Sequence, residues 1–357
     1  MLYFILTTGR CNLKCLYCGG SFPEELVPWS VKYDLRELKK FIERDSSPSI
    51  TFYGGEPLLN SKFMEKVMEE VPADRFVVQT NGLLVDKLPE RFWRRMDTVL
   101  LSVDGPREIT DYYRGRGVYD AVMRAAEKLR SSGFSGDLIA RMAVSELSDI
   151  ERDVRHLLSL GIFDHVHWQL DVIWSDRWRD FHGWADESYK PGLRKLVDFW
   201  IREMRKGRVL GIVPFQGVMR AVLLGGMKVP PCGAGVDAFA ISTDGRILAC
   251  PIAFESDWAF LGRLGEVSPD DLPNRVRIGG RCSSCPYLNL CGGRCLFANK
   301  ESYWSDEDVE KVCEITRYML DLILSRKDEI LKLVRQGVID EKDLLYPAYN
   351  NTTEIIP

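Results

Sequence analysis

Cys11, Cys15 and Cys18 stand in a C-x3-C-x2-C loop immediately after the apolar run from Leu2 to Leu6. Three thiolates at this spacing can hold three irons of a cubane cluster. Since such a cluster normally takes four cysteines, the fourth iron is left without a protein ligand. A vacant iron on a low-potential cluster is a place for chemistry. The competing readings are weaker. Zinc wants four ligands, yet the first histidine is His156 and no fourth cysteine lies nearby. Disulfides want an oxidising compartment.

Composition narrows the class. A chain of 357 residues is long enough for about two domains and a sizeable core. It is 45% hydrophobic and 28% charged, ordinary for a soluble globular protein. Lys and Arg number 48 against 52 Asp and Glu, a net charge of −4, and no basic block stands out. That argues against nucleic acid as a partner. Arg91, Arg94 and Arg95 read as one solvated helix face. The first apolar run has no basic leader and no cleavage site, and it is too short to span a bilayer. The expectation is a cytoplasmic protein with no membrane partner, whose ten cysteines serve metal or redox chemistry.

The elements that would carry the loop alternate between strand and helix signals. Apolar runs sit at 2–8, 49–53, 75–80, 97–103, 137–144 and 165–173, with helical patterns at 31–44, 60–71, 117–132 and 148–159. Six βα units predict a parallel sheet with helices outside it, too few strands for a closed eight-stranded barrel. The expected fold is α/β: a partial (β/α)6 TIM-like barrel over 1–209, a small metal-dependent domain over 210–313, and a C-terminal helix and tail over 314–357. Chemistry then belongs at the C-terminal ends of the strands. Residues 174–190, with Trp174, Trp178, Phe181, His182 and Trp184, read as a lid or as packing against the second domain. A long helix is expected over 186–206. Ser305 with Asp308 predicts a helix start, and apolar spacing carries that helix to Leu324. The tail 346–357 is polar and weakly patterned.

Several strand ends carry polar or flexible residues. Tyr53-Gly54-Gly55-Glu56-Pro57 follows the second strand; paired glycines let a ligand approach the backbone, and Glu56 supplies a carboxylate for an ammonium group. Gln79-Thr80-Asn81-Gly82 and Ser102-Val103-Asp104-Gly105 close strands three and four, where turn chemistry is an equal explanation for Asn81 and Asp104. Arg141 lies inside an apolar run and wants an anion. A carboxylate of a ligand would serve, as would an ion pair with Asp104 or Glu56. His165 and His167 point the same way along a strand, but nothing nearby completes a metal site.

The cysteine loop, with Tyr17 before its last cysteine at the end of a first strand, resembles the radical S-adenosylmethionine superfamily. The resemblance implies that the amine and carboxylate of S-adenosylmethionine chelate the open iron of a [4Fe–4S] cluster. An electron from the cluster then cleaves the sulfonium, and the 5′-deoxyadenosyl radical takes a hydrogen atom from the substrate. It implies cofactor contacts at Tyr17, Gly54, Gly55, Glu56, Asn81, Ser102 and Arg141, and a catalytic place for Asp104. The stretch from Asp104 to Gly117, with Arg114 and Gly115, also resembles the family's pattern without an assigned chemistry.

The second cysteine array has its own spacing: Cys232, then Gly245 and Cys250, then Cys282-x2-Cys285-x5-Cys291-x3-Cys295, then Cys313. It resembles the SPASM extension of peptide- and protein-modifying radical enzymes, which holds two auxiliary [4Fe–4S] clusters, three clusters in all. A zinc-ribbon module is the alternative. Spacing alone leaves the pairing open, since Cys282 to Cys295 could hold one cluster. The family's interlocked pairing implies Cys232, Cys250 and Cys295 for the first auxiliary cluster and Cys282, Cys285, Cys291 and Cys313 for the second. The first is then one thiolate short, open to substrate or capped by Asp237 or Asp244.

The implied activity is hydrogen abstraction from a peptide or protein, leading to a crosslink, dehydrogenation or epimerisation. An electron donor such as flavodoxin or ferredoxin is implied. Sulfatase-maturating relatives carry an aspartate after the cysteine matching Cys250. Here Pro251 stands there, which argues against formylglycine formation. No leader-binding domain precedes the cysteine loop, so a peptide leader is expected to dock elsewhere or on a separate leader-binding protein. The alternatives are a SPASM enzyme acting on a small cofactor precursor and a non-catalytic iron–sulfur electron carrier. The motifs at Gly54–Pro57 and Ser102 speak against the carrier.

Overall fold

Apolar runs that alternate with amphipathic stretches bury themselves most fully as strands under helices, and the chain builds six such units. The computed structural model describes residues 1–173, 178–301 and 303–357. The units comprise β1 (Leu2–Thr8), α1 (Leu35–Ile42), β2 (Ser49–Gly54), α2 (Ser61–Glu70), β3 (Arg75–Thr80), α3 (Glu90–Trp93) and β4 (Thr98–Ser102). They continue with α4 (Arg107–Arg114), α5 (Val118–Ser131), β5 (Asp137–Val144), α6 (Ile150–Ser159) and β6 (His165–Leu170). All seven residues of β1 are buried, which is why the strand reads as a continuous apolar run. Helix starts follow side-chain caps: Asp34 accepts from the Arg36 amide at α1, and Asp149 from the Arg152 amide at α6. Trp174 lies outside the described residues.

Beyond β6 come α7 (Phe181–Trp184), α8 (Lys190–Met204), α9 (Val213–Leu224), β7 (Ala238–Ile241), β8 (Arg246–Leu248) and β9 (Phe260–Arg263). Four helices follow: α10 (Leu288–Cys291), α11 (Leu296–Lys300), α12 (Asp306–Leu324) and α13 (Lys327–Arg335). The Ser305 hydroxyl accepts from the Asp308 amide at 3.1 Å, so α12 begins where its cap was expected. One nine-stranded sheet runs β6-β5-β4-β3-β2-β1-β7-β8-β9. β7 pairs with β1 in parallel, Leu2 opposite Ala238. The strands after residue 210 thus extend the barrel sheet. No described helix is long and apolar enough to cross a membrane.

The sheet has two unlike faces, as a period of two requires. Val78, Val99, Leu101, Leu138 and Ala140 pack outward into the main core with the helices. Val77, Leu100 and Ile139 point the other way and are covered by Tyr346. The C-terminal segment therefore runs inside the barrel. Residues 351–357 are buried apart from Glu354, which is half-buried. Their polarity had hidden this interior position.

Candidate active site

The cysteine loop leaves the C-terminal end of β1, with Cys15 buried, Cys11 half-buried and Cys18 exposed. A hydrogen bond from the Cys15 thiol brings Cys18 down to about 6, with Arg114 acting in the same direction. Burial pushes Cys11 up; Cys15 is raised first by its hydrogen bond to Cys18 and then by burial, and the charge of Cys18 adds to both. Cys11 and Cys15 are therefore poor thiolates unaided, and a cationic iron–sulfur core would supply the missing positive charge. The donor set therefore fits such a group.

Tyr17 anchors the loop to a buried network around Asp104. Tyr17 Oη donates to Asp104 Oδ2 at 2.8 Å. Arg114 Nε and Nη2 donate to the two oxygens of Asp104, each at 2.7 Å, and the Ala143 amide donates to Oδ1 at 2.8 Å. Arg114 also lies over the Tyr17 ring, 5.5 Å from its centroid. Asp104 is fully buried with four donors on its carboxylate, the arrangement of a strut. This gives Arg114, unassigned by sequence, a task. Its signal was a charged residue on the apolar face of a helix, but its partner ten residues earlier carried no periodic mark.

Glu56 is also a strut. Its carboxylate accepts from Thr80 Oγ1 at 2.7 Å and from the amides of Asn81 and Leu58 at 2.8 and 3.1 Å. Burial pushes its carboxyl up to about 7. Asn81 Nδ2 reaches Asn12 Oδ1 at 2.8 Å while its own oxygen accepts the Leu83 amide, so it ties the loop and closes a turn. The paired glycines admit backbone: a Cβ on Gly54 would lie 2.3 Å from the Thr8 carbonyl oxygen, and one on Gly55 would lie 2.2 Å from that of Arg10. They let the end of β2 lie close against the start of the cysteine loop.

Ser102 and Arg141 are paired across β4 and β5. Arg141 meets neither Asp104 nor Glu56. Its Nη2 donates to Glu354 at 3.1 and 3.3 Å. His165 bonds Asp137 at 2.7 Å, and His167 is fully buried without a hydrogen-bond partner. Neither belongs to a metal cluster: among the described residues, no three His, Cys, Asp or Glu side chains converge on a single metal ion.

The seven remaining cysteines are all free, and mutual charge effects link Cys232, Cys250 and Cys295 on one side and Cys282, Cys285, Cys291 and Cys313 on the other. Burial, with the charges of Glu354 and Cys295 adding to it, pushes Cys232 up to about 12. Cys250 is raised by burial and then by Cys295 and Cys232. Burial also raises Cys282, with Cys313 and Cys285 adding to it, and pushes Cys291 up to about 11, with Cys282 and Cys313 adding to it. A cavity of about 300 Å³ is lined by Cys285, Cys291, Cys313 and Cys295. Asp244 is held by Arg246 at 2.7 Å, whereas Asp237, paired with Lys228 at 2.6 Å, keeps Oδ1 buried and unpartnered.

A groove of about 1040 Å³ lies between the cysteine-loop segment at Phe22, the Trp178–His182 segment, Phe254 and Trp304. Phe181 meets Trp304 edge-on at 5.0 Å, so the aromatic segment both lines the groove and packs against the second half of the chain.

Residues 5–166 match the Radical SAM superfamily. This part of the chain is a radical SAM domain. A cysteine-type anaerobic sulfatase-maturating enzyme of Clostridium perfringens is 24% identical over 344 residues, covering 85% of this chain and 90% of its own length. Mycofactocin maturase MftC of Mycolicibacterium smegmatis is 27% identical over 318 residues, covering 82% and 76%. In fold, the chain is similar to native anSMEcpe with bound AdoMet, at a TM-score of 0.71 and 21% identity, over 92% of this chain and 100% of that one. The radical SAM domain thus sits on the expected partial barrel, and the chain is an enzyme.

Proposed function

We propose that this radical SAM enzyme modifies a peptide or protein, with auxiliary clusters held by the two cysteine neighbourhoods. When bound, the first cluster and S-adenosylmethionine supply an electron and a 5′-deoxyadenosyl radical that takes a hydrogen atom. The chain's own part is to position and to exclude water. Cys11, Cys15 and Cys18 hold the first cluster. Asp104, Arg114, Glu56 and Asn81 fix the loop, and we read Asp104 as a positioning residue. Ser102 and Arg141 face the cofactor from the inner strands. Cys232, Cys250 and Cys295 hold one auxiliary cluster, with Asp237 the better-placed fourth ligand because one of its oxygens is free. Cys282, Cys285, Cys291 and Cys313 hold the other.

The observation that carries the peptide reading is the groove of about 1040 Å³ beside the segment that follows the cysteine loop, roomier than a small precursor needs. Relatives named as maturases support it. Pro251 after Cys250 directs the reading away from formylglycine and toward crosslinking, dehydrogenation or epimerisation. Reduced flavodoxin or ferredoxin would serve as electron donor. Anaerobic reconstitution should give about twelve irons per chain and release 5′-deoxyadenosine under reduction. Cys15→Ala should release none. Zinc in place of iron, or equal cofactor cleavage by both proteins, would overturn the reading.

A further inference from the structure

Residues 352–357 lie inside the barrel, and the functions described so far give them no task. The approach to them is well made. Tyr346 stacks on His165 with centroids 4.0 Å apart and donates to Asp137 at 2.9 Å. Asn351 Nδ2 donates to Tyr346 Oη at 2.8 Å, and Arg75 sits 4.5 Å over the Tyr349 ring. The end is made differently. Thr352 and Ile355 hold φ of 75° and 66°. These are β-branched residues in the left-handed region, where they are genuine outliers and persist only when their surroundings force them. The Thr352 hydroxyl, Arg141 Nε and both ring nitrogens of His167 are buried without partners. A permanent interior would satisfy such groups. Between the two strained residues, Glu354 takes the bond from Arg141 and stands 3.8 Å from His167.

We propose that residues 352–357 are a displaceable strap whose Glu354 occupies, in the resting chain, the carboxylate seat that Arg141 offers to an incoming ligand. This rests on the reading above only in taking the inner barrel as the ligand chamber. A segment anchored at 346–351 and strained beyond it can swing out without losing its hold. The arriving carboxylate has two sources, the methionyl group of S-adenosylmethionine and an acidic side chain of the peptide. Gly217 on α9 offers an independent lever: a Cβ there would lie 2.2 Å from Ile355 Cγ2. Gly217→Ala would therefore push the strap out while favouring the helix that carries it.

The test uses the full chain, a chain ending at Asn351, Glu354→Gln and Gly217→Ala, with the synthetic hexapeptide Thr-Thr-Glu-Ile-Ile-Pro as probe. The hexapeptide should bind the shortened chain at least about ten-fold more tightly than the full chain, whose own strap competes. A hexapeptide with Gln for Glu should bind about ten-fold more weakly. Saturating S-adenosylmethionine that abolishes this binding assigns the seat to the cofactor carboxylate; binding that survives it assigns the seat to the substrate. Either result supports the strap. Should the shortened chain fail to fold, hydrogen exchange decides. Amides of 352–356 should exchange at least about ten-fold faster in Glu354→Gln and Gly217→Ala, with β5 unchanged. No hexapeptide binding to a folded shortened chain, or exchange as slow as β5 in all the full-length variants, would overturn the proposal. Neither readout needs cofactor cleavage, so an inactive enzyme would sink the functional reading and leave the strap standing.

Discussion

Asp104→Asn separates a strut from a catalytic group. The carboxylate is fully buried and accepts two bonds from Arg114, one from Tyr17 and one from the Ala143 amide. Oδ1 serves Arg114 Nη2 and Ala143; Oδ2 serves Arg114 Nε and Tyr17. An asparagine accepts on one of these atoms and donates from the other. Whichever way it turns, two donors face an NH2 group and the Arg114 guanidinium loses its counter-charge. Breaking one partner of a buried ion pair costs about 3–5 kcal/mol. Urea unfolding should show this as a lower midpoint at unchanged slope. Tyr17 lies between Cys15 and Cys18, so iron retention at the first site should fall as well. Tyr17→Phe shares Oδ2 with this network, and the double variant should show a coupling of about 0.5–3 kcal/mol. A stability loss under about 1 kcal/mol with iron retained and cofactor cleavage abolished would refute the strut and restore Asp104 as a catalytic group.

Gly55→Ala places a Cβ 2.2 Å from a backbone oxygen and 2.9 Å from the Cys11 nitrogen. It should lose at least about 1–3 kcal/mol by urea midpoint, together with iron at the first site. Glu56 has a folded pKa near 7, above its unfolded value. The folded state therefore holds the extra proton, and this group's contribution falls as pH rises from about 4.5 to 7, by on the order of 3 kcal/mol. Glu56→Gln should remove that decline, read as the difference between two stability-versus-pH curves; parallel curves would contradict it. Asn299 clasps Gly279 through both amide atoms and reaches Cys282 Sγ at 3.6 Å. Asn299→Ala should cost about four irons by iron assay while leaving S-adenosylmethionine cleavage measurable.

The six βα units were legible because each strand is a short apolar run between helical patterns, and the cysteine loop follows the first of them directly. The cap at Ser305 was legible for the same local reason. The pairing of β7 with β1 was not: Ala238–Ile241 is four residues long in a glycine-rich stretch, and its partner lies over two hundred residues away. Periodicity carries no record of such a contact. Arg141 announced its need for an anion but not its partner, since Glu354 sits in a polar segment that gives no helix or strand signal. Glu56 and the paired glycines stand at the strand end, and the structure adds what residue types alone do not carry: the glycines let two pieces of backbone meet, and Glu56 accepts from Thr80, Asn81 and Leu58.

The central claim is an iron corner left free by Cys11, Cys15 and Cys18. Electron paramagnetic resonance of the anaerobically reduced protein, recorded with and without S-adenosylmethionine, addresses it directly. The account expects one cluster signal to change shape when the cofactor is added, and that component to vanish in Cys15→Ala. An identical spectrum in the presence and absence of the cofactor would contradict it.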